Sequence, residues 1–257
     1  MPDSEPLNAA LEAAEAAATI LKAGYRSGVA VTMKADRTPV TEVDIAAEHA
    51  ILAVLSRRLP NYGFYGEETG RSGDTSTAWI VDPLDGTKSF VRGYPLFSTQ
   101  IALMRDGEFV LGVSSAPVYG ELAWAERGGG AWLNGQRLNV STTNSLADTA
   151  LSGGNLKSLA RSSAWSRWGS IVGSVSRIRG YGDFLHYHML ASGMIDAVVE
   201  SDVSIWDIAA LATIIEEAGG RFTDLAGEPI GLASTSVLAT NGHLHAPLLD
   251  ALRYEAP

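Results

Sequence analysis

The sequence predicts a layered α/β protein of the α+β kind, and three observations carry that prediction. Two segments near the start repeat apolar residues at helical spacing, a series of hairpin signals follows, and from residue 151 onward strand-like and helix-like segments alternate. The 257 residues, 46% of them hydrophobic, are enough for a sizeable core in a single compact unit. A soft boundary over 142–148 separates an N-terminal half, residues 1–145, from a C-terminal α/β half, residues 146–257.

Residues 5–23 are rich in Ala and Glu and line up Leu7, Leu11, Ala14, Ala18 and Leu21 as a helical stripe that Gly24 or Gly28 ends. Residues 33–41 are polar and hold Pro39, which reads as a loop. Thr41 is placed to cap a second helix over 42–58, with Ile45, Leu52, Leu55 and Leu59 expected inward and Pro60 closing it. A short apolar piece leads to Gly66-Glu67-Glu68-Thr69-Gly70. Trp79-Ile80-Val81 reads as a buried strand that stops at Asp82-Pro83, because proline has no N–H to continue a ladder.

Strands over 97–103 and 109–114 flank Asp106-Gly107, and strands over 122–126 and 131–133 are bounded by Gly128–Gly130 and Asn134-Gly135. Two helices over a largely antiparallel sheet follow from this. In the second half, helices are expected over 158–168, 183–192, 206–218 and 245–254. Strands are expected at 151–153, 177–179, 195–200, 221–224 and 236–240.

Lys and Arg total 19 against 29 Asp and Glu, a net charge of −10. That balance speaks against a nucleic-acid or anionic-membrane binder. With no cysteine, disulfides, thiolate nucleophiles and Cys-ligated metals are excluded. No apolar run reaches the ~18 residues of a membrane span, and the first residues lack the basic start and apolar core of a signal peptide, so a cytoplasmic protein is expected.

The chemistry concentrates after the Trp79 strand. Asp82 and Asp85 are three apart, which in a helical turn puts both carboxylates on one face. Gly86-Thr87-Lys88 offers free backbone N–H groups where a helix begins, a seat for an anion. Further acidic groups stand at chain breaks: Asp44, Glu67-Glu68 and Asp207. Hard oxygen ligands in such number suit Mg²⁺ or Mn²⁺. Cations between carboxylates and phosphate reconcile an acidic protein with an anionic substrate.

Three motifs in order resemble the inositol monophosphatase-like family of metal-dependent phosphatases: Gly66-Glu67-Glu68, then Trp79 to Thr87, then Trp206-Asp207-Ile208-Ala209-Ala210 running to Glu217-Ala218-Gly219-Gly220. The resemblance spans nearly the whole chain. It implies an αβαβα sandwich, two or three Mg²⁺ ions per subunit (Mn²⁺ as substitute) and a homodimer. Carried over by position, it implies Glu67, Asp82, Asp85, Asp207 and the Leu84 carbonyl as metal ligands. Glu67 and Thr87 orient the attacking water, Asp44 holds Thr87, and the Gly86 and Thr87 N–H groups bind phosphate. Asp85 and Asp207 also face the substrate. Phosphoryl transfer needs charge neutralised, a nucleophile in line and a stabilised leaving alkoxide, and paired cations supply all three without a covalent nucleophile.

Within that family the second half resembles the histidinol-phosphate phosphatase branch. Arg179-Gly180-Tyr181-Gly182-Asp183-Phe184, His188-Met189-Leu190, Lys88-Ser89-Phe90-Val91-Arg92-Gly93 and Thr38-Pro39-Val40-Thr41 carry the likeness. Asp183 is expected to pair with the substrate ammonium, Glu200 to contact substrate as well. Leu185 departs from the Trp usual in that branch. An inositol-1-phosphate phosphatase is the nearest rival. An adenosine 3′,5′-bisphosphate 3′-nucleotidase is disfavoured by Ser89, and a silent interaction protein by the complete acidic set. Other polar residues have plainer expectations. Asp183 can cap its helix, His186 and His188 sit at the helix surface or core edge and do not bind metal, and Trp206 packs in the core. Arg177 and Arg179 are solvated, and Lys34 is a loop lysine to which the resemblance adds a phosphate role.

Overall fold

Ser4 Oγ accepts the Leu7 N–H at 3.1 Å, and Pro6 stands in the first turn, where a missing N–H costs nothing, so helix α1 runs Glu5–Gly24. The computed structural model describes residues 4–28, 31–33 and 39–255. Strands β1 (Val31–Met33) and β2 (Pro39–Thr41) pair antiparallel, which corrects the ends of the expected loop over 33–41. Lys34 and Thr38 lie outside the described residues. Thr41 and Asp44 cap helix α2 (Glu42–Arg58) reciprocally, as a capping box.

Of the residues expected on the inward face of α2, Leu55 is buried and Leu52 and Leu59 pack against the core, and only Ile45 needs correction. Ile45 is 44% exposed, while Val43, Asp44, Ala47, Glu48, Ile51, Val54 and Leu55 are buried. Two carboxylates, Asp44 and Glu48, share the inner face with the aliphatic residues, which the apolar stripe alone does not show.

The next elements are β3 (Gly63–Gly66), β4 (Gly70–Ser72), β5 (Thr77–Asp85), α3 (Thr87–Val91), β6 (Ser98–Arg105), β7 (Glu108–Ala116), β8 (Glu121–Glu126), β9 (Gly130–Leu133) and β10 (Gln136–Arg137). Their strands form one eight-stranded sheet in the order β10-β9-β8-β7-β6-β5-β3-β4. Only the β3–β5 joint is parallel. Asp106-Gly107 and Asn134-Gly135 close two of its hairpins with positive φ at both positions, the backbone hand that matches strand twist.

The chain then builds β11 (Ala150–Gly153), α4 (Lys157–Arg161), α5 (Trp165–Ser174), β12 (Arg177–Arg179), α6 (Asp183–Ala191), β13 (Ala197–Ser201), α7 (Ile205–Glu217), β14 (Arg221–Thr223), β15 (Ser236–Thr240) and α8 (His245–Leu252). The five strands order as β12-β11-β13-β15-β14. The single helix expected over 158–168 is two, because Ser162 Oγ donates to the Leu159 carbonyl at 2.8 Å and accepts the Ala164 N–H at 3.2 Å, turning the chain between them.

Alternation along the strands stacks these pieces into an αβαβα sandwich. Trp79 and Val81 of β5 point into a core with Leu7, Ile51 and Leu103 under α1 and α2. Ile80, between them, points the other way, to Ile208, Leu190, Phe222 and Ala239 around α6 and α7. Leu238 and Val199 face a third core with Leu159, Ile171 and Leu248, beneath α4, α5 and α8. Helix α7 comes from the second half yet lies on the first sheet. A Cβ at Gly112 would stand 2.2 Å from the Ala210 carbonyl oxygen, so glycine permits that approach. Trp206 is only half-buried, edge-on to Tyr65 at 5.0 Å, and so sits at the rim of the core.

Candidate metal-dependent phosphatase site

Strand β5 does not stop at Pro83. Its pairing with β6 slips between Asp82, opposite Gln100, and Asp85, opposite Ser98, and the bulge carries the chain through the proline. The bulge, and not a helical turn, brings the two carboxylates to one side. Asp207, third residue of α7, joins them: its Oδ2 accepts the Ser204 N–H at 2.8 Å. Carboxylate oxygens of Asp82, Asp85 and Asp207 lie within 4.8 Å of one another.

Around this cluster, a cleft of about 320 Å³ is lined by Glu67, Asp82, Leu84, Asp85, Gly86, Thr87, Lys88, Ser89, Asn155, Asp183 and Asp207. A larger cleft of about 720 Å³ runs past Met104, Asp224, Leu232 and Tyr254. Convergent carboxylates, not size, mark the smaller one as the site.

Burial sets the electrostatics of the cluster. It pushes Asp82 and Asp85 well above the ordinary carboxylate range, and their acidic neighbours push further. Burial likewise raises Asp207 to about 7, against the pull of the Ser204 N–H and a hydrogen bond with Asp82. Crowded carboxyl groups of this kind hold protons until a cation replaces them, and an all-oxygen donor set suits a hard divalent ion. The residues present therefore fit a metal.

Thr87 Oγ1 is 3.1 Å from Asp44 Oδ1 and 3.0 Å from the Leu84 carbonyl oxygen, two acceptors for its one proton. Asp44 is buried and does not line the cleft. Its other oxygen accepts the Thr41 N–H at 2.9 Å and the Thr41 hydroxyl at 2.5 Å. Burial raises the Asp44 pKa, with the Thr41 and Thr87 bonds opposing. Gly86, at φ 85°, precedes α3, and a Cβ there would meet the Leu96 carbonyl at 2.7 Å. Gly86 and Thr87 both line the cleft where this short helix begins.

Asn155 and Asp183, the latter at the start of α6, line the rest of the cleft, with β13 behind them. Asp183 takes φ 46°, lines the cleft, and accepts a hydrogen bond from Ser89. Burial, then the Glu200 charge, raises it to about 6. Gly182 occupies the cap position with no side-chain bond, so Asp183 does not serve as the helix cap. Glu200 is not a lining residue. It is buried behind Asn155, whose N–H it accepts at 3.0 Å, and it accepts the Tyr187 hydroxyl at 2.8 Å, with His186 Nε2 3.2 Å away. Burial alone would raise Glu200, but the His186, Asn155 and Tyr187 contacts hold it below the ordinary glutamate value. Leu185 is half-buried on α6 and outside the cleft lining.

Several polar residues here escape a sequence reading. His186 and His188 are fully buried, not at the helix surface. His188 Nδ1 meets Glu121 at 2.7 Å and its Nε2 meets Ser114 Oγ at 2.9 Å. Gln100 Nε2 donates to Ser114 and Ser98, and Ser98 reaches Asp85 Oδ2 at 3.3 Å. Nothing in the spacing of these residues along the chain links them; the sheet does. Arg177 and Arg179 are exposed, as expected of a solvated edge.

The family model described as the inositol monophosphatase family matches residues 3–256. The chain is 43% identical over 228 residues to a histidinol-phosphatase of Mycobacterium tuberculosis, covering 86% of this chain and 87% of that one. It is 38% identical to an inositol-1-monophosphatase of Mesorhizobium japonicum over 98% of both. The solved structure of the extragenic suppressor protein suhB of Bartonella henselae superposes with a TM-score of 0.89 at 34% identity, over 97% of this chain and 99% of that one. None of the helices among the described residues is long and apolar enough to cross a membrane. The chain belongs to the inositol monophosphatase family and is a phosphoric monoester hydrolase.

Proposed function

We propose that this enzyme hydrolyses L-histidinol phosphate to L-histidinol and phosphate with Mg²⁺ in the carboxylate cluster. The observation that carries the substrate assignment is Asp183, a carboxylate on the cleft wall facing the metal cluster, backed by ionised Glu200. A cationic amino alcohol places its ammonium there as its phosphate meets the opposite wall, a charge-assisted pairing that an inositol cannot make. The 43% identity to a protein named histidinol-phosphatase supports the same reading.

Glu67, Asp82, Asp85, Asp207 and the Leu84 carbonyl would hold the cations. When bound, these neutralise phosphate charge, acidify water and stabilise the leaving alkoxide. The remaining work belongs to the chain. Thr87 directs its hydroxyl proton to Asp44, which leaves a lone pair to orient the attacking water, and Glu67 takes the water's proton. The Gly86 and Thr87 N–H groups fix the phosphate oxygens in line. The reading includes a cytoplasmic homodimer.

A second reading, an inositol-1-phosphate phosphatase, is favoured by the 38% identity over 98% of the Mesorhizobium japonicum protein. Side-by-side kcat/KM values for histidinol phosphate, inositol 1-phosphate and adenosine 3′,5′-bisphosphate decide between them. Histidinol phosphate is expected to lead; a lead for inositol 1-phosphate establishes the second reading.

A further inference from the structure

Glu48 is a completely buried carboxylate that the proposed chemistry leaves without a task. It stands one helical turn after Asp44, so α2 presents both carboxylates on its inner face. Burying a carboxylate is costly unless it is well hydrogen-bonded. Each Glu48 oxygen takes a backbone donor from the segment after β3: Oε2 accepts the Glu68 N–H at 2.9 Å and Oε1 the Thr69 N–H at 2.7 Å. Room for that carboxylate exists because residue 66 is glycine. A Cβ at Gly66 would lie 2.5 Å from Glu48 Cδ and Oε2. Glu67 is thereby pinned from both sides. Its own N–H bonds the Val81 carbonyl at 3.1 Å on β5, and the two N–H groups after it are tied to α2.

We infer that Glu48 is a positioning residue that sets metal affinity by holding Glu67 against the Asp82–Asp85 bulge. Helix α2 then serves the site twice, through Asp44 on Thr87 and through Glu48 on the Glu67 segment. The inference rests on the proposed reading of Glu67 as a metal ligand.

The test is calorimetric titration of Mn²⁺ and Mg²⁺ into the metal-stripped enzyme, with thermal melts alongside. Glu48→Gln keeps the shape but replaces one acceptor oxygen by a donor, and is expected to weaken metal binding by about 10–100-fold, the range for partners that orient metal ligands. Ile51→Ala, a buried change on the same helix, is expected to lower the melting temperature while leaving metal affinity within about twofold, since it costs packing alone. Gly66→Ala is expected to weaken binding as Glu48→Gln does, and to add nothing in a Glu48→Ala background, where the clash is gone. It carries the same test if Glu48→Gln does not fold. Unchanged affinity in Glu48→Gln and Gly66→Ala, with binding lost in Glu67→Gln, overturns the positioning role alone. Unchanged affinity in Glu67→Gln as well overturns the metal-ligand reading beneath it.

Discussion

The two walls of the cleft use the same side-chain chemistry to opposite effect. On the β5 wall, buried Asp82 and half-buried Asp85 and Asp207 crowd one another, and their pKa values are driven up. Around α6 and β13, Glu200 is buried as well, yet His186, Tyr187 and the Asn155 N–H hold its pKa below the ordinary glutamate value. Burial raises the carboxylates on both walls, and on the second the hydrogen-bond partners outweigh it. The first wall crowds three carboxylates together and fits metal ions. The second surrounds Glu200 with hydrogen-bond partners and leaves Asp183 lining the cleft, where the proposed reading has it meet a cation on the substrate.

The sharpest break of that contrast is Asp85→Asn. Activity should fall on the order of 10³-fold, as for loss of a central electrostatic group. At the same time the metal-free protein should melt higher than the parent at pH 8, because a repulsive charge is gone. Loss of activity with a lowered melting temperature would mean that Asp85 holds the fold and not the ion.

Changing the other wall should have a smaller and selective effect. Asp183→Asn is expected to lower kcat/KM for histidinol phosphate by about 10–100-fold, the worth of one hydrogen bond to a charged group. Turnover of an aryl phosphate should stay within about threefold of the parent on the same scale. Equal losses on both substrates would show that Asp183 shapes the site without recognising the substrate.

A third prediction uses pH. Asp207 titrates near 7 in the folded protein and near 3.9 unfolded, so between those values the folded state holds the extra proton. Stability of the metal-free enzyme is then greatest at the acid end and is lost as pH rises through about 7. Melting in EDTA should fall from pH 5.5 to pH 8, about 2–4 °C for each kcal/mol. Saturating Mg²⁺ should flatten or reverse the trend, since metal binding releases the protons. A melting temperature in EDTA that rises over this range would contradict the assigned crowding. The smallest effect expected is for Ser98→Ala, whose hydroxyl lies at 3.3 Å from Asp85. Metal affinity should change by only about 2–10-fold, the value of one ordinary hydrogen bond.

The same contrast explains what could be read in the sequence. The β5 wall is largely one contiguous stretch, Asp82 to Thr87, ending a strand whose apolar run and proline are visible in the chain. Asp207 and Glu67 were reachable because each stands where an element begins or ends. The mistaken detail there, a helical turn for a bulged strand, came from spacing alone, since both geometries bring residues three apart to one side. The side around α6 and β13 is assembled from Ser89, Asn155, Asp183, His186, Tyr187 and Glu200, which meet only after two sheets have stacked. Buried His188 and Glu48 are illegible for a related reason: a polar residue inside a helix pattern reads as surface until its partners, two strands for His188 and the segment after β3 for Glu48, are in place.

Recognition of an ammonium group by Asp183 is tested by deleting charge on both sides of the contact. Histidinol phosphate and the phosphate ester of 3-(imidazol-4-yl)propan-1-ol, which lacks the amino group, would be compared on the parent enzyme and on Asp183→Asn. The parent is expected to prefer the amino substrate by about 10–100-fold, and the variant to show almost no preference, because the pairing is lost once either partner is removed. A parent that turns over both esters equally, or a variant that keeps the parent's preference, would contradict the account.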